Sequence, residues 1–188
     1  MVCLRNTHRT REFTCDDLFR FNNINLDVLT ETYNMPFYLQ YLAKWPSYFQ
    51  VLESPCGTLM GYVMGKAEHL HNGGKVHRET DWHGHVTAVT VAPEYRRLGL
   101  ARRLMGSLEE VSEKTYNGYF VDLFVRCSNA VAINMYQKFG YTCYRRVVGY
   151  YSGTDQEDAF DMRKPLARDR HRVSSRPSKP FECLPEDL

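Results

Sequence analysis

The 188 residues carry a formal net charge of +2, and 43% of them are hydrophobic, which predicts one domain with a sizeable core rather than global disorder. The nearly balanced charge argues against direct nucleic-acid binding, and no apolar run approaches the ~18 residues that a membrane span needs. Because the first 15 residues lack the apolar centre of a signal peptide and the six cysteines form no C-x-x-C pair, we expect reduced thiols and a location in the cytoplasm, with the nucleus as a second compartment.

The first half of the chain predicts two helices followed by a β-hairpin. Thr14 can cap a helix that begins with CDDLFRF, because its hydroxyl can accept a hydrogen bond from an orphan amide. An irregular segment spans 25–35, and Pro36 suits the first turn of a second helix, PFYLQYLAKW, that ends before Pro46. The runs YFQVLE and TLMGYVMGKAE predict two strands joined at SPCG, and a polar loop follows over 69–81.

The second half alternates strands and helices. HVTAVTVA predicts a strand, and the helix after it has an apolar stripe of Leu100, Leu104, Leu108 and Val111. YFVDLFV predicts the next strand, and NAVAINMYQKFG predicts a helix with Gly140 as its C-terminal cap. YTCYRRVVGYY and DAFDMR predict two closing strands. The element order therefore predicts a mixed α/β (α+β) domain, in which helices pack on a largely antiparallel sheet that includes one βαβ unit.

Polar stretches flank this predicted domain. We expect the folded domain to span 13–164, after a polar N-terminal stretch of residues 1–12. Residues 165–188 are polar and basic and contain several prolines, so we expect a disordered tail with little structure of its own.

The pattern R-x-x-G-x-A spans Arg96–Ala101, between a predicted strand and a predicted helix. A helix start exposes backbone N–H groups without internal partners, and together with the helix dipole they suit phosphate or pyrophosphate. Gly99 lets the backbone approach the phosphates, Ala101 keeps the first turn narrow, and Arg96 and Arg97 can add positive charge. Since G-K-[ST] and G-x-G-x-x-G are both missing, the segment is neither a P-loop nor a Rossmann turn. Taken alone, the pattern also fits an ordinary strand–turn–helix.

A second pattern, N-x-x-A-x-x-x-Y-x-x-x-G-[FY], matches Asn129, Ala132, Tyr136, Gly140 and Tyr141. Residues three and four apart share one helix face, so Asn129, Ala132 and Tyr136 line up. The Asn129 amide can bond a pantetheine carbonyl, Ala132 lets a cofactor lie close, and Tyr136 can protonate a leaving thiolate. By itself, Tyr136 fits a core aromatic residue better than a catalytic one. The two patterns in register resemble the signatures of the GNAT family of N-acetyltransferases.

Longer stretches resemble, within that family, the catalytic subunits of NatB-type N-terminal acetyltransferases. They include WHGHVTAVTVAPEYRRLGLARRLM, PFYLQYLAKWP, FTCDDLFRFNNINLD, LTETY, FVDLFVR and DMRK, and they extend from about Glu12 to Lys164. The resemblance implies the GNAT fold, acetyl-CoA as cosubstrate and no metal. It also implies a large auxiliary subunit, an indirect link to the ribosome, and nascent polypeptide N-termini beginning Met-Asp, Met-Glu, Met-Asn or Met-Gln as substrates.

The resemblance also implies the residues of the site. Tyr136 is the expected catalytic residue. The expected substrate-binding residues are Glu31, Tyr33, His85, Thr87, Tyr150 and Tyr151. The expected cofactor-binding residues are Val89, Val91, Arg96, Arg97, Leu98, Gly99, Leu100, Ala101 and Asn129. Since adjacent strand residues face opposite sides, Tyr150 and Tyr151 can both reach a peptide only at a bulge or turn.

Simpler interpretations of individual residues stay open. His85 can be a hydrogen-bonded sheet residue, and Glu31 can cap a helix or lie in solvent. No H-x-x-x-H or C-x-x-C spacing supports a zinc site among the histidines, and Cys127 fits packing better than nucleophilic catalysis. Two alternative functions also remain: an acetyltransferase for another amine, such as lysine or a polyamine, and a catalytically impaired binding subunit with the same fold.

Three features depart from the family pattern. Residues 1–12 are longer and more polar than the family's apolar first strand, which puts that strand in doubt. The loop around HLHNGGKVH is extended. Asn34 stands where the family has glycine, which matters if the turn needs positive φ.

Overall fold

The computed structural model describes residues 8–27, 30–69, 71–72, 75–76, 82–153 and 156–188. The chain divides into two compact units, the first made of Met1–Lys66 with Val86–Val111 and the second of Ala67–His85 with Ser112–Leu188. Over the described ranges, no helix combines the length and apolar character that crossing a membrane requires.

The described residues form ten strands and four α-helices. The strands are β1 Arg9–Glu12, β2 Gln50–Glu53, β3 Leu59–His69, β4 His71–Asn72, β5 Lys75–Val76, β6 Trp82–Val91, β7 Phe120–Arg126, β8 Thr142–Tyr151, β9 Glu157–Pro165 and β10 Glu182–Cys183. The helices are α1 Asn22–Asn25, α2 Met35–Lys44, α3 Leu100–Lys114 and α4 Ala130–Lys138, and 3₁₀ turns lie at Cys15–Phe19, Pro46–Tyr48, Pro93–Tyr95 and Pro185–Asp187.

In the first unit the strand order is β1-β2-β3-β6, and β1–β2 and β2–β3 are antiparallel. Its core is aromatic: the rings of Phe13 and Phe49 stack with centroids 4.1 Å apart, and Tyr62 of β3 lies edge-on to Phe13. Tyr38 and Tyr41 of α2 are buried in the same cluster. Apolar burial therefore fixes α2, and with it the segment that precedes α2, against the strands.

The end of the polar N-terminal stretch, Arg9–Glu12, forms β1, the strand that the sequence left in doubt. Arg11 makes this possible, since its guanidinium donates to Asp17 Oδ2 at 2.6 Å and to Glu53 Oε2 at 2.9 Å. Asp17 is 1% exposed and also accepts from the Thr14 backbone N–H. The predicted helix CDDLFRF is a 3₁₀ turn over Cys15–Phe19, because Asp17 closes it back onto Thr14 and Arg11.

In the second unit β7, β9, β8 and β10 lie in that order. The pairs β7–β9 and β8–β9 are antiparallel, and β10 runs parallel to β8. These pairings agree with the predicted mixed α/β fold and its largely antiparallel sheet. The predicted loop over 69–81 differs from the structure, because His71–Asn72 and Lys75–Val76 pair as a short antiparallel hairpin.

The segment 165–188, for which the sequence predicts a disordered tail, makes hydrogen bonds that composition does not reveal. Asp169 is 8% exposed and accepts the backbone N–H groups of Val173 and Ser174 at 3.0 and 2.9 Å. Further on, the Arg146 N–H donates to the Phe181 carbonyl at 2.8 Å. The segment therefore follows the outer side of β8.

Candidate active site

The turn that precedes α3 has the geometry of an anion site made of backbone. Gly99 is exposed, adopts φ +78°, and has no neighbour within 4 Å of where a Cβ would stand. The Arg103 N–H donates to the Gly99 carbonyl at 3.3 Å, so the amides of the first helical turn have no partner within α3. Leu100 and Leu104 are buried and hold the helix in place. The N–H groups from Gly99 onward are available to phosphate oxygens.

The arginines of the turn differ from one another. Arg97 is exposed, whereas the Arg96 guanidinium pairs with Asp27 and its Nε donates to the Val91 carbonyl at 3.2 Å. Arg96 therefore joins the end of β6 to the segment that follows α1. Its predicted contact with the cofactor stays a prediction, and its charge is already compensated by Asp27.

The predicted cofactor residues on β6 lie beside a close strand contact. Val89 and Val91 are half-buried. A Cβ at Gly61 of β3 would lie 2.6 Å from the Thr90 carbonyl oxygen, so only glycine fits there. Leu98 and Ala101 are exposed and half-buried, respectively.

The predicted peptide residues of the first unit come together on α2 and β6. The Tyr33 ring stacks on Phe37 with centroids 4.5 Å apart, and its hydroxyl donates to the Thr87 carbonyl at 3.3 Å. The Thr87 hydroxyl lies 2.8 Å from the Tyr41 hydroxyl. Glu31 is exposed. Tyr33 and Thr87 are thus in direct contact, and their role in binding a peptide stays a prediction.

The turn before α2 does not need positive φ. Asn34 adopts φ −73° and ψ 159°, and its side-chain oxygen accepts from the Phe37 N–H at 3.0 Å. Asn34 is therefore the N-cap of α2. Asparagine can replace the family's glycine at position 34 because its side chain caps the helix. Glu31 is not the N-cap of α2.

In the second unit, Asp122 lies between two histidines of β6. Its Oδ1 is 2.8 Å from His85 Nδ1, and its Oδ2 is 3.4 Å from His83 Nε2. Asp122 is 5% exposed and each histidine side chain is 12% exposed. Glu68 of β3 lies 3.8 Å from His83 Nε2. One ring nitrogen of His85, Nδ1, is therefore hydrogen-bonded within the sheet, as the simpler interpretation of His85 predicts.

Burial and charge act in opposite directions in this cluster. Burial alone would raise the pKa of Asp122, but attraction to His83 and the hydrogen bond from His85 lower that pKa well below its usual range. Burial lowers the pKa of His83 by more than Asp122 and Glu68 raise it. Asp122 is therefore ionised and His83 is neutral near pH 7.

Tyr150 and Tyr151 lie at a bulge, which is one of the two arrangements that would let both of them reach a peptide. The pairing of β8 with β9 shifts register between Val147 and Tyr151, and Gly149 adopts φ +67°. The Tyr150 ring stacks on Phe124 at 4.6 Å, and the Tyr151 hydroxyl donates to the Phe124 carbonyl at 3.4 Å. A bulge therefore turns both tyrosines toward the end of β7.

His85 belongs to the same group of side chains. Its ring lies 5.7 Å from the Phe124 ring, on which Tyr150 stacks. The Arg126 guanidinium lies over the Tyr151 ring at 4.0 Å. The structure thus brings His85, Tyr150 and Tyr151 together around Phe124, which the sequence analysis did not single out.

Asn129 and Tyr136 both lie at α4. The Asn129 side-chain oxygen accepts from the Ala132 N–H at 3.0 Å and caps the helix, so its NH₂ group is the part that can donate to a carbonyl. Tyr136 is buried, and burial raises its pKa to about 12, so its hydroxyl keeps its proton at neutral pH. Gly140 ends the helix with φ +96°, as predicted.

The Cys127 side chain fits packing rather than catalysis. Burial raises the pKa of the Cys127 thiol, which disfavours the nucleophilic thiolate. The described cysteines are Cys15, Cys56, Cys127, Cys143 and Cys183, and all of them are free thiols. Within the described ranges, no three His, Cys, Asp or Glu side chains form a group that could hold a metal ion.

Sequence comparison places these features in a known family. Residues 15–141 match the model of the acetyltransferase (GNAT) family. The chain belongs to this family. It is 64% identical over 169 residues to N-alpha-acetyltransferase 20 of Dictyostelium discoideum, a match that covers 90% of this chain and 92% of the relative. It is 57% identical to the N-terminal acetyltransferase B complex catalytic subunit of Schizosaccharomyces pombe, covering 95% and 97%.

Solved structures agree with this assignment. Chaetomium thermophilum Naa20 in complex with a bisubstrate analogue is 44% identical and superposes with a TM-score of 0.85, covering 95% of this chain and 98% of that one. The NatB acetyltransferase complex bound to CoA and MES contains a chain that is 43% identical, with a TM-score of 0.74 and coverage of 84% and 99%. The predictions of the GNAT fold, a NatB-type catalytic chain, an acetyltransferase and acetyl-CoA as cosubstrate are confirmed.

Proposed function

We propose that this chain is the catalytic subunit of a NatB-type complex. It transfers acetyl from acetyl-CoA to the α-amino group of proteins that begin with Met-Asp, Met-Glu, Met-Asn or Met-Gln. The observation that carries the proposal is the similarity, over nearly the whole chain, to catalytic subunits named for the N-terminal acetyltransferase B complex. We infer that it works in the cytoplasm, with the nucleus as a second compartment, on nascent chains.

The chemistry makes modest demands on the protein. An amine attacks a thioester without a metal once it is neutral and aligned. An α-amino group with a pKa near 7.8 is roughly one-fifth neutral at cytosolic pH, whereas lysine is well under a thousandth neutral. A strong general base is therefore unnecessary. The lysine or polyamine alternative would need one.

In this proposal the two signatures have separate tasks. The amides of Leu98 to Ala101 hold the pyrophosphate of acetyl-CoA, with Arg97 adding charge, and Val89 and Val91 line its acyl arm. The Asn129 amide donates to pantetheine. Tyr136 gives its proton to the leaving thiolate, and its hydroxyl carries that proton at neutral pH, as a donor must.

The residues that face the peptide supply two kinds of contact. The stacked rings of Tyr33 and Phe37 offer an apolar surface for the first methionine. His85 and Thr87 offer hydrogen bonds to an acidic or amide second side chain, Glu31 contacts the peptide backbone, and Tyr150 and Tyr151 close over the peptide. The resemblance to the family supports these roles, and the contacts around Phe124 and Thr87 are compatible with them.

The first helices expose a surface that fits an auxiliary subunit. Four large apolar side chains between residues 19 and 39 are 43–83% exposed, namely Phe19, Leu26, Met35 and Leu39. Exposed apolar side chains that recur within one stretch of the chain are typical of an interface. The structures of the NatB complex support a large auxiliary partner. We infer that this partner carries the link to the ribosome.

A peptide panel tests the function. The chain, purified with and without the auxiliary subunit, is assayed on peptides beginning Met-Asp, Met-Leu and Ser-Glu. We expect the complex to acetylate Met-Asp peptides at least about tenfold faster, in kcat/KM, than either of the others. Preference for Ser-Glu, or activity only on lysine side chains, would overturn the proposal. Acetyl-CoA binding without turnover on any peptide would favour the impaired binding subunit.

A surface variant tests the partner. Leu26→Glu places a charge on the proposed interface, so we expect its affinity for the auxiliary subunit to fall by at least about tenfold. The matched control is Val173→Glu, which changes an apolar side chain that is 58% exposed in the second unit. Equal affinities for the two variants, or a fully active monomeric chain, would count against the interface.

A further inference from the structure

The carboxylate of Asp122 is the central group of a buried polar cluster in the second unit. Asp122 interrupts the apolar strand β7, yet its residue is only 5% exposed. Burying a carboxylate costs several kcal/mol unless charge or hydrogen bonds compensate. The two neighbouring histidines of β6 provide this compensation, one on each carboxylate oxygen.

The two histidines are not equivalent. His85 Nδ1 lies 2.8 Å from the carboxylate, within hydrogen-bond range, whereas His83 Nε2 lies 3.4 Å away. The His83 ring stacks on Phe120 with centroids 4.8 Å apart. The short contact therefore belongs to His85, and His83 packs as a largely apolar ring.

A hydrogen bond at one imidazole nitrogen determines what the other nitrogen can do. With Asp122 ionised, Nδ1 of His85 donates, which fixes both the tautomer and the plane of the ring. Nε2 is then the nitrogen that remains for a bound peptide. It accepts from an amide when the ring is neutral, and it donates to a carboxylate when the ring carries both protons.

We propose that Asp122 is a positioning residue for substrate selection, which holds His85 so that Nε2 meets the side chain of the second peptide residue. The proposal rests on the role that the proposed function gives to His85. Because a hydrogen bond to a charged group is worth more than one to a neutral group, the placement of Nε2 matters most for acidic second residues. Asp122 therefore contributes to selectivity without touching the peptide.

The test compares peptides that differ only in the second residue. The complex with the auxiliary subunit is assayed on Met-Asp, Met-Asn and Met-Leu peptides, as wild type, Asp122→Asn, His85→Ala and the double variant. We expect Asp122→Asn to lower kcat/KM for Met-Asp by about tenfold or more, for Met-Asn by less, and for Met-Leu hardly at all. Added to His85→Ala, Asp122→Asn should change selectivity little further.

Control variants separate positioning from folding. Asp169→Asn alters another buried aspartate of the same unit, one that caps the C-terminal segment, and we expect it to leave selectivity unchanged. Asp122→Glu keeps the charge and moves it by one methylene, so it should restore part of the Met-Asp preference. If Asp122→Asn does not fold, the glutamate variant carries the test, with a loss confined to Met-Asp.

Each failure has its own signature. Equal loss on all three peptides in Asp122→Asn, or in Asp122→Glu, would make Asp122 a structural residue and overturn the proposal. If Asp122→Asn lowers the Met-Asp preference as much in the His85→Ala background as in wild type, the proposal is overturned as well. If His85→Ala itself leaves the Met-Asp preference intact, the assignment of His85 in the proposed function fails first.

Discussion

In the turn before α3 the groups available to a ligand are backbone amides, whereas around Asp122 they are side chains held by other side chains. The turn is exposed and contains two residues with positive φ, Gly99 at +78° and Arg97 at +64°. The cluster is buried and depends on a carboxylate that lies between two histidines and is hydrogen-bonded to one of them. A site made of backbone tolerates most substitutions except at its glycine. A site made of side chains is sensitive at residues that never touch the ligand.

The largest expected effect is at the glycine of the turn. Gly99→Glu forces a side chain into φ +78° and sets a negative charge beside the phosphates, so we expect acetyl-CoA affinity to fall by at least about 100-fold. Gly106→Glu makes the same chemical change within α3, where the added Cβ also meets nothing within 4 Å but the backbone is helical. Calorimetric titration of both variants with acetyl-CoA measures the difference, and unchanged affinity in Gly99→Glu would refute this placement of the pyrophosphate.

The second effect concerns a single buried hydroxyl. Tyr136→Phe removes the proton donor and keeps the ring, so we expect kcat to fall by about 100-fold with a smaller change in KM. Tyr141→Phe is the control, because this ring is 1% exposed and lies 6.0 Å from that of Tyr136. Steady-state kinetics on a Met-Asp peptide measure kcat and KM for both variants. Wild-type kcat in Tyr136→Phe would assign the residue to packing.

The third effect tests side-chain recognition directly. His85→Ala removes a hydrogen-bond partner of a charged side chain, which costs ~1.5–3 kcal/mol, or about one to two decades in kcat/KM for Met-Asp peptides. Acetyl-CoA affinity should hardly change, and discrimination against Met-Leu should fall because leucine never made the contact. Proportional loss on both peptides would mean that selectivity lies elsewhere.

The smallest effect separates the two regions by pH, because the cluster contains histidines and the turn before α3 does not. Burial lowers the pKa of His83, so the unfolded chain binds this proton at higher pH than the folded chain does. Stability is therefore lost as pH falls through about 6.5, with a slope of at most about 1.4 kcal/mol per pH unit for one proton. Denaturant unfolding between pH 7.5 and 5.5 should show a shallower loss in His83→Gln. Parallel curves for variant and wild type would exclude this contribution.

The same contrast explains what the sequence could and could not predict. The turn was predictable because glycine, the preceding strand and the following apolar stripe are all local signals. Asp122 was not singled out, although an aspartate inside YFVDLFV is an unusual residue for a buried strand. Its partners lie 37 and 39 positions away, and no local pattern brings such residues together.

Other errors of prediction have the same cause. The sequence of β1 is more polar than a first strand of this family. The structure explains this because Asp17 and Glu53 neutralise the charge of Arg11. The C-terminal segment looked disordered because its order comes from backbone bonds to β8 and from Asp169. The bulge at Gly149, by contrast, could be anticipated from the sequence, because the two adjacent tyrosines can both reach a peptide only at a bulge or turn.

The pairing of β10 with β8 has a consequence for the protein in concentrated solution. An open strand edge presents a row of unsatisfied N–H and C=O groups, and such rows recruit other chains into aggregates. In this protein Glu182–Cys183 pairs with β8, and the backbone N–H of Ser178 donates to the Tyr144 carbonyl at 2.7 Å. Pro177 and Pro180 flank this contact and have no N–H to offer. A strand of two residues bordered by prolines is a poor template, so the C-terminal segment keeps the edge of β8 from adding a neighbour's strand.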